Sequence, residues 1–150
     1  MAERESRSAV AGAYPPRPVL AVLAVVARAG KVLLVRRTNP PDQGKWGYPG
    51  GRVELGETLA AAAARELAEE TGVVAEALEA LTTIDVIERD AGGEVRFHYL
   101  LVAMRAQWRE GEPTPRDDVF AAAWVAPEEL ARLDGGVSAE VGRIARLVLV

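Results

Sequence analysis

The stretch "RELAEETGV", residues 65–73, decides the fold prediction because it places three acidic side chains close together. These are Glu66, Glu69 and Glu70. Like charges four residues apart on a helix cost about 0.2–0.5 kcal/mol per pair. A segment that accepts this cost is expected to serve a purpose other than helix stability.

The residues around this stretch predict a helix. Ala60–Ala64 are the strongest helix formers, and Thr58 can cap the N-terminus. Gly72 suits the position just beyond a helix C-terminus, because glycine adopts a left-handed backbone easily. We therefore predict a helix over about 58–71.

The helical repeat gathers the three carboxylates on one flank. Each residue advances about 100°, so Glu69, Glu66 and Glu70 fall within an arc of roughly 100°. Leu67 and the alanines fall on the opposite side, as a core-facing stripe requires. Hard cations such as Mg²⁺ and Mn²⁺ prefer carboxylate and phosphate oxygens, and a cation there would turn repulsion into attraction. The alternative is an acidic face that is merely solvated.

The loop before this helix favours the metal interpretation. "TNPPDQGKWGYPGG", Thr38–Gly51, is rich in glycine and proline, and loops of this length in compact domains are commonly functional. Gly50, Gly51 and Gly56 allow close approach of a ligand to the backbone. A glycine-rich loop that leads into a carboxylate-lined helix can hold a metal-bound phosphate.

Residues 51–73 resemble the signature of the Nudix hydrolases, Gly-x5-Glu-x7-Arg-Glu-U-x-Glu-Glu-x-Gly-U, where U is aliphatic. All nine specified positions match at the required spacing: Gly51, Glu57, Arg65, Glu66, Leu67, Glu69, Glu70, Gly72 and Val73. The wider similarity runs from about Val19 to Leu133. It implies an α/β fold, the Nudix-type α/β/α sandwich with a central mixed β-sheet, and hydrolysis of a nucleoside diphosphate linked to another group.

The resemblance also implies roles for the matched residues. Glu66, Glu69 and Glu70, with the backbone carbonyl of Gly51, are expected to bind Mg²⁺ or Mn²⁺. Glu57 and Arg65 are expected to form an ion pair that orients the loop against the helix. Glu66 or Glu69 is the expected base for the attacking water.

Four further residues are candidates for substrate binding: Arg36, Arg37, Trp46 and Tyr48. The arginines end a predicted strand and suit phosphate binding, with Arg36 preferred because neighbouring strand positions face opposite ways. The aromatic residues could stack on a base or fill the core. His98 is interpreted as a structural strand residue. The resemblance also implies that a further carboxylate could come from the loop that holds Glu110, Glu112, Asp117 and Asp118.

The remaining pattern predicts one domain. Residues 1–17 are expected to form a flexible tail, and residues 18–150 the Nudix domain. Predicted strands are Val19–Ala27, Lys31–Arg37, Leu81–Glu88, Glu94–Ala106 and Val119–Val125, followed by a short helix from Pro127 and a final helix capped by Ser138.

Composition excludes several other functions. The chain has 150 residues, net charge −4, no cysteine and no basic cluster. Disulfides and thiolate chemistry are absent, a nucleic-acid polymer is not an expected partner, and no membrane segment is predicted. We expect a cytoplasmic protein, and a homodimer remains compatible with the sequence.

The substrate class is not fixed by the motif. The loop wording resembles the ADP-ribose pyrophosphatase group, which favours ADP-ribose or a nucleotide sugar as the small-molecule partner. Alternatives are an oxidised nucleoside triphosphate pyrophosphohydrolase and, in another class, a non-catalytic nucleotide-sensing domain. All box glutamates are retained, which favours an enzyme.

Overall fold

The computed structural model describes residues 10–117 and 119–149, which form seven strands, two α-helices and one 3-10 helix. In chain order these are β1 (Val19–Arg28), β2 (Lys31–Arg37), β3 (Trp46–Gly47), β4 (Gly50–Arg52), α1 (Leu59–Thr71), β5 (Val74–Arg89), β6 (Val95–Glu110), β7 (Val119–Val125), the 3-10 helix (Pro127–Arg132) and α2 (Val141–Val148).

The strands form one mixed sheet in the order β3-β2-β1-β6-β5, with β4 paired to β1 and β7 paired to β2. β1 and β6 run parallel over eight residue pairs, from Val19↔Tyr99 to Val26↔Ala106. The other pairings are antiparallel. Helices cover both faces, so each face has its own apolar core.

Helix α1 packs on one face of the sheet and α2 on the other. Beneath α1, Leu67 contacts a core that includes Val22 and Val102, both on adjacent strands. Beneath α2, Ile144 contacts a second core that includes Val25. Alternate residues of β1 therefore serve opposite cores, as expected for a strand that is buried on both faces.

Helix α1 confirms the predicted boundaries. Thr58 is the N-cap, and its side chain accepts a hydrogen bond from the Ala61 amide. Gly72 ends the helix with a φ of 76°, and its amide donates to the carbonyl of Ala68. The helix is therefore held at both ends by local chemistry.

The structure corrects several predicted elements. The loop 38–51 is not wholly irregular, because β3 and β4 form within it by pairing with distant strands. β5 begins at Val74, well before the predicted Leu81, and β6 continues to Glu110, beyond the predicted Ala106. Helix α2 begins at Val141 with Glu140 as N-cap, and Ser138 contributes only its backbone carbonyl, to Val141.

The chain before β1 packs against the sheet. The Tyr14 amide donates a hydrogen bond to the carbonyl of Arg96, and its hydroxyl donates to Asp90. The expected loose tail therefore does not extend to Tyr14, and residues 1–9 of that tail lie outside the described residues. Within the described ranges, no helix combines the length and apolar character needed to cross a membrane.

Candidate active site

The acidic flank, defined as Glu66, Glu69 and Glu70, lies on the side of α1 that faces β4. Leu67 is fully buried between α1 and the sheet, so the helical repeat turns the glutamates away from the core. The side chain of Glu66 is only 15% exposed, whereas that of Glu69 is 46% exposed. The flank therefore runs from a sheltered end to a solvent-facing end.

Arg65 joins the flank to the preceding loop. Its Nε donates to Oε2 of Glu57 at 2.7 Å, and its Nη2 donates to Oε1 of the same carboxylate at 2.9 Å. This bidentate pair lowers the pKa of Glu57 to about 2, chiefly through the hydrogen bond from Arg65. The predicted ion pair is therefore present in the structure.

The same guanidinium also reaches the flank itself. Nη1 of Arg65 lies 2.8 Å from Oε1 of Glu66 and 3.3 Å from Oε2 of Glu69. Nη2 donates to the carbonyl of Arg52 at 3.0 Å, which ties α1 to β4. One arginine thus holds loop, strand and acidic flank in a fixed relation.

Glu70 lies where burial disfavours the charged form of its carboxylate. Its Oε2 accepts a hydrogen bond from the Gly50 amide at 3.3 Å. Burial raises the pKa of Glu70 to about 8, and the neighbouring Glu66 carboxylate adds to the effect. Burial likewise raises the pKa of Glu66. Such carboxylates are costly to ionise without a positive partner.

The donor set fits a hard divalent cation. Carboxylate oxygens with raised pKa values gain most from a cation, and the Gly51 carbonyl lies on the strand they face. In the described ranges, no three acidic or histidine side chains already surround a common metal position. Glu66 and Glu69 contact Arg65 instead, and Glu70 contacts Gly50.

The loop between β6 and β7 adds a carboxylate to this region. The Arg116 amide donates to the Glu70 carbonyl at 2.8 Å, and the Thr114 amide donates to the Thr71 carbonyl at 2.9 Å. These bonds cap the end of α1. They bring Asp117 near enough to Glu70 to raise its pKa. Of the four acids predicted in this loop, Asp118 lies outside the described residues.

A cavity of about 680 Å³ adjoins the flank on the opposite side of β4. This volume is within the range of ligand sites, roughly 300–1,000 Å³. Gly50 and Gly51 line it, so the flank and the cavity are separated only by a ribbon of backbone without side chains. Its floor is aliphatic, from Leu23, Ile84 and Leu101.

Two of the four predicted substrate-binding residues line this cavity. They are Arg37 and Tyr48. The ring of Tyr48 is buried, and its hydroxyl donates to the carbonyl of Val141 at 2.8 Å, so it also fixes the start of α2. Arg37, which the sequence analysis ranked below Arg36, is therefore the arginine that lines the cavity.

Arg36 and Trp46, the other two predicted substrate-binding residues, are not among the residues that line this cavity. The pairing of β2 with β7 is irregular between Arg36 and Arg37, and Nε of Arg36 donates to the carbonyl of Gly44. Trp46 packs against the core beneath α2. The strand residue His98, which faces Ile87 on β5, is also outside the lining.

Sequence reasoning missed Arg52 and Tyr99, which both line the cavity. Arg52 follows Gly51 directly, and the alternation of strand side chains is the one signal that could have marked it. Tyr99 lies two strands away, opposite Val19 on β1. Only the pairing of the strands brings the two residues to one side of the sheet.

The motif of residues 51–73 begins at the Gly50–Gly51 backbone, here called the glycine ribbon, and continues through α1. An α/β/α sandwich with this motif is typical of the Nudix hydrolases. The NUDIX domain family model matches residues 15–145, and the chain belongs to that family. The predicted fold class is confirmed by a solved structure, a MutT NUDIX hydrolase from Burkholderia pseudomallei. It has a TM-score of 0.74 and 29% identity, over 89% of this chain and 99% of that one.

Two relatives indicate pyrophosphohydrolase activity. A putative 8-oxo-dGTP diphosphatase 2 from Mycobacterium tuberculosis is 38% identical over 132 residues, 85% of this chain and 86% of that protein. An ADP-ribose pyrophosphatase from Methanocaldococcus jannaschii is 32% identical over 104 residues, 69% of this chain. The match spans 62% of the archaeal protein's length.

Proposed function

We propose that the protein is a metal-dependent hydrolase that cleaves the diphosphate linkage of a nucleoside diphosphate derivative, of the ADP-ribose or nucleotide-sugar type. One observation carries the proposal. The backbone of Gly50–Gly51 lines the 680 Å³ cavity and also contacts the acidic flank, since the Gly50 amide donates to Glu70. A diphosphate at this ribbon can contact the flank while the rest of the substrate occupies the cavity.

Glu66, Glu69, Glu70 and the carbonyl of Gly51 are the residues that would hold Mg²⁺ or Mn²⁺. Such ions neutralise a diphosphate and lower the pKa of a bound water. Glu66 or Glu69 would accept the water's proton. Glu69 is the more exposed of the two and meets Arg65 at a longer distance, which leaves it freer to move.

The chain's own cations support the same substrate class. Arg37 lines the cavity at its loop end, where its Nε donates to the carbonyl of Pro41. A guanidinium suits phosphate oxygens because it offers several donors in a fixed plane. The proposed catalytic domain is residues 18–150, with Glu57 and Arg65 as the pair that keeps the loop against α1.

A second candidate is hydrolysis of an oxidised nucleoside triphosphate. The Mycobacterium tuberculosis relative favours it, because the alignment covers 86% of that protein at 38% identity. The archaeal relative, with less of its length covered, favours the ADP-ribose type. Residues 39–51, from "NPP" to "PGG", resemble the corresponding loop of the ADP-ribose pyrophosphatase group, so we favour the ADP-ribose type.

The experiment is a substrate panel with Mg²⁺ or Mn²⁺: ADP-ribose, nucleotide sugars, dinucleoside polyphosphates and oxidised dGTP. AMP and ribose 5-phosphate as products would support the first candidate. Pyrophosphate released from the triphosphate would support the second. Binding without turnover of any compound would support the non-catalytic sensing domain and overturn both.

A matched pair of variants tests the flank directly. Glu69→Gln removes a flank carboxylate paired with Arg65, and Glu79→Gln removes a strand carboxylate paired with Arg105. We expect Glu69→Gln to lose most of the activity and Glu79→Gln to keep it. Equal rates in the two variants would exclude the flank from catalysis.

A further inference from the structure

The segment 10–14, here called the N-terminal turn, closes one end of the cavity. Within it, the Ala13 amide donates to the Val10 carbonyl at 3.1 Å, which forms the turn. Tyr14 fastens it to the sheet through the carbonyl of Arg96, at 2.7 Å, and through Asp90. Ala11 and Gly12 then line the cavity.

Gly12 is the point at which the turn meets the cavity wall. Its φ of +81° is a left-handed conformation that glycine adopts without strain. A Cβ built on this residue would lie 2.5 Å from Nη2 of Arg52 and 2.8 Å from Oη of Tyr99. Both polar groups therefore converge on the backbone of residue 12, and a side chain at this position would have to displace them.

The sheet places Arg52 and Tyr99 on the cavity side. Residue 51 faces the acidic flank, so Arg52, the next residue in β4, faces the opposite way. Arg52 is paired with Ala21 of β1, whose small side chain leaves space above the floor. Tyr99 pairs with Val19, two residues along β1 and therefore on the same face.

Both groups are available for a ligand. In residues 10–117 and 119–149, neither the guanidinium of Arg52 nor the hydroxyl of Tyr99 makes a hydrogen bond with another residue. A guanidinium can only donate, and a phenol hydroxyl donates readily. Two converging donors at one end of a cavity whose floor is aliphatic favour a ligand rich in acceptor oxygens.

We propose that Gly12, Arg52 and Tyr99 form a specificity subsite that binds an acceptor oxygen, phosphoryl or carbonyl, of the substrate. The subsite rests on the proposed function, since the substrate is one whose diphosphate lies at Gly50–Gly51. The N-terminal turn is a wall of this subsite. It therefore contributes to substrate choice although it precedes the first strand.

The decisive comparison uses two glycines with the same backbone conformation. Gly12→Ala and Gly30→Ala both place a side chain at positive φ, 81° and 77°, but the Cβ at residue 30 meets nothing within 4 Å. Backbone strain is thus matched, and only Gly12→Ala displaces Arg52 and Tyr99. We expect KM to rise at least fivefold in Gly12→Ala, with kcat within twofold, while Gly30→Ala retains both values.

Two further variants identify the group that binds. Tyr99→Phe removes only the hydroxyl, and Arg52→Gln removes the cation. If the subsite holds a phosphoryl oxygen, Arg52→Gln raises KM about tenfold for every substrate of the panel. If it holds a base carbonyl, the rise is seen for oxidised dGTP and any other substrate whose base carries a carbonyl, and not for ADP-ribose, because adenine has none. In either case Tyr99→Phe raises the same KM values by a smaller factor.

Binding measurements separate failure of this inference from failure of the proposed function. If the wild-type protein hydrolyses no panel compound, calorimetric titration with ADP-ribose and with oxidised dGTP replaces KM. Gly12→Ala is then expected to weaken binding at least fivefold relative to Gly30→Ala. Equal KM or dissociation constants for these two variants, with both folded, would overturn the subsite. A wild-type protein that neither binds nor hydrolyses any compound would overturn both proposals.

Discussion

The carboxylate of Glu66 fills the space in which residue 51 would carry a side chain. A Cβ built on Gly51 would lie 2.4 Å from Cδ of Glu66 and 2.5 Å and 2.6 Å from its two oxygens. A Cβ atom essentially never lies within 3.0 Å of another heavy atom, so any other residue at position 51 must displace the carboxylate. Glycine at this position and glutamate at position 66 are therefore a matched pair.

This contact predicts that Gly51→Ala impairs catalysis more than folding. The methyl group pushes Glu66 from the glycine ribbon, and misplaced metal-site groups commonly reduce activity about 10–100-fold. Gly92→Ala is the control, because its Cβ would meet only Oδ1 of Asp90, at 3.4 Å. The measurement is kcat/KM on the best panel substrate, with thermal melting to check the fold. A Gly51→Ala enzyme of normal activity would contradict the placement of Glu66.

The bidentate pair of Arg65 and Glu57 predicts that lysine cannot replace this arginine. Lys lacks the planar fork that contacts Glu57 and, at the same time, Glu66 and the Arg52 carbonyl. We expect Arg65→Lys to reduce kcat about tenfold while unfolding free energy changes by no more than about 1 kcal/mol, since the pair is partly exposed. Arg105→Lys, which alters a strand ion pair with Glu79, should keep its kcat. Equal loss in both variants would count against a special role for Arg65.

The buried position of Glu70 predicts how stability depends on pH in metal-free protein. Its pKa is about 8 when folded and about 4.5 when unfolded, so the folded state binds the proton more tightly. Its contribution is therefore favourable at low pH and is lost as pH rises from about 4.5 to about 8. The loss is on the order of a few kcal/mol. Glu57, with its lowered pKa, acts oppositely, but only as pH falls from about 4.5 towards 2.

Glu70→Gln should therefore flatten this dependence. The amide carries no charge at any pH, so the variant avoids the cost of ionising a buried group. We expect the metal-free variant to melt higher than wild type at pH 8 and to lose most activity. Chemical denaturation in EDTA between pH 5 and pH 8 measures the effect. Parallel pH curves for the two proteins would show that Glu70 is not buried as described.

Metal addition should offset the free-energy cost of ionising the buried carboxylates of the acidic flank. A ligand that binds only the folded state at 100 times its Kd stabilises it by about 2.7 kcal/mol. We expect millimolar Mg²⁺ or Mn²⁺ to raise the melting temperature of wild type at pH 8, and EDTA to remove the increase. The increase should shrink in Glu69→Gln and persist in Glu79→Gln. A melting temperature that does not change when either ion is added would contradict the metal site.

The helix and its acidic flank could be predicted from the sequence because they depend on neighbours along the chain. Thr58 and Gly72 end the helix through bonds to residues three or four positions away. The angular grouping of Glu66, Glu69 and Glu70 follows from 3.6 residues per turn alone. The ion pair between Arg65 and Glu57 could be predicted from the resemblance to the Nudix motif.

The cavity could not be predicted in the same way. Which of Arg36 and Arg37 lines it depends on the irregular pairing of β2 with β7, whose register shifts between these two residues. Asp117 reaches Glu70 only because a distant loop caps α1. These relations join residues that are far apart in sequence.

The sequence by itself determined the helix, the clustering of its carboxylates and the family, since each is a matter of local geometry and fixed spacing. The tertiary structure decided what lies across the glycine ribbon from that flank. It set Arg52 and Tyr99 against the backbone of Gly12 through strand pairing and a docked N-terminal turn. The physical reason is that strand register and long-range packing, rather than helical periodicity, choose which side chains share a cavity.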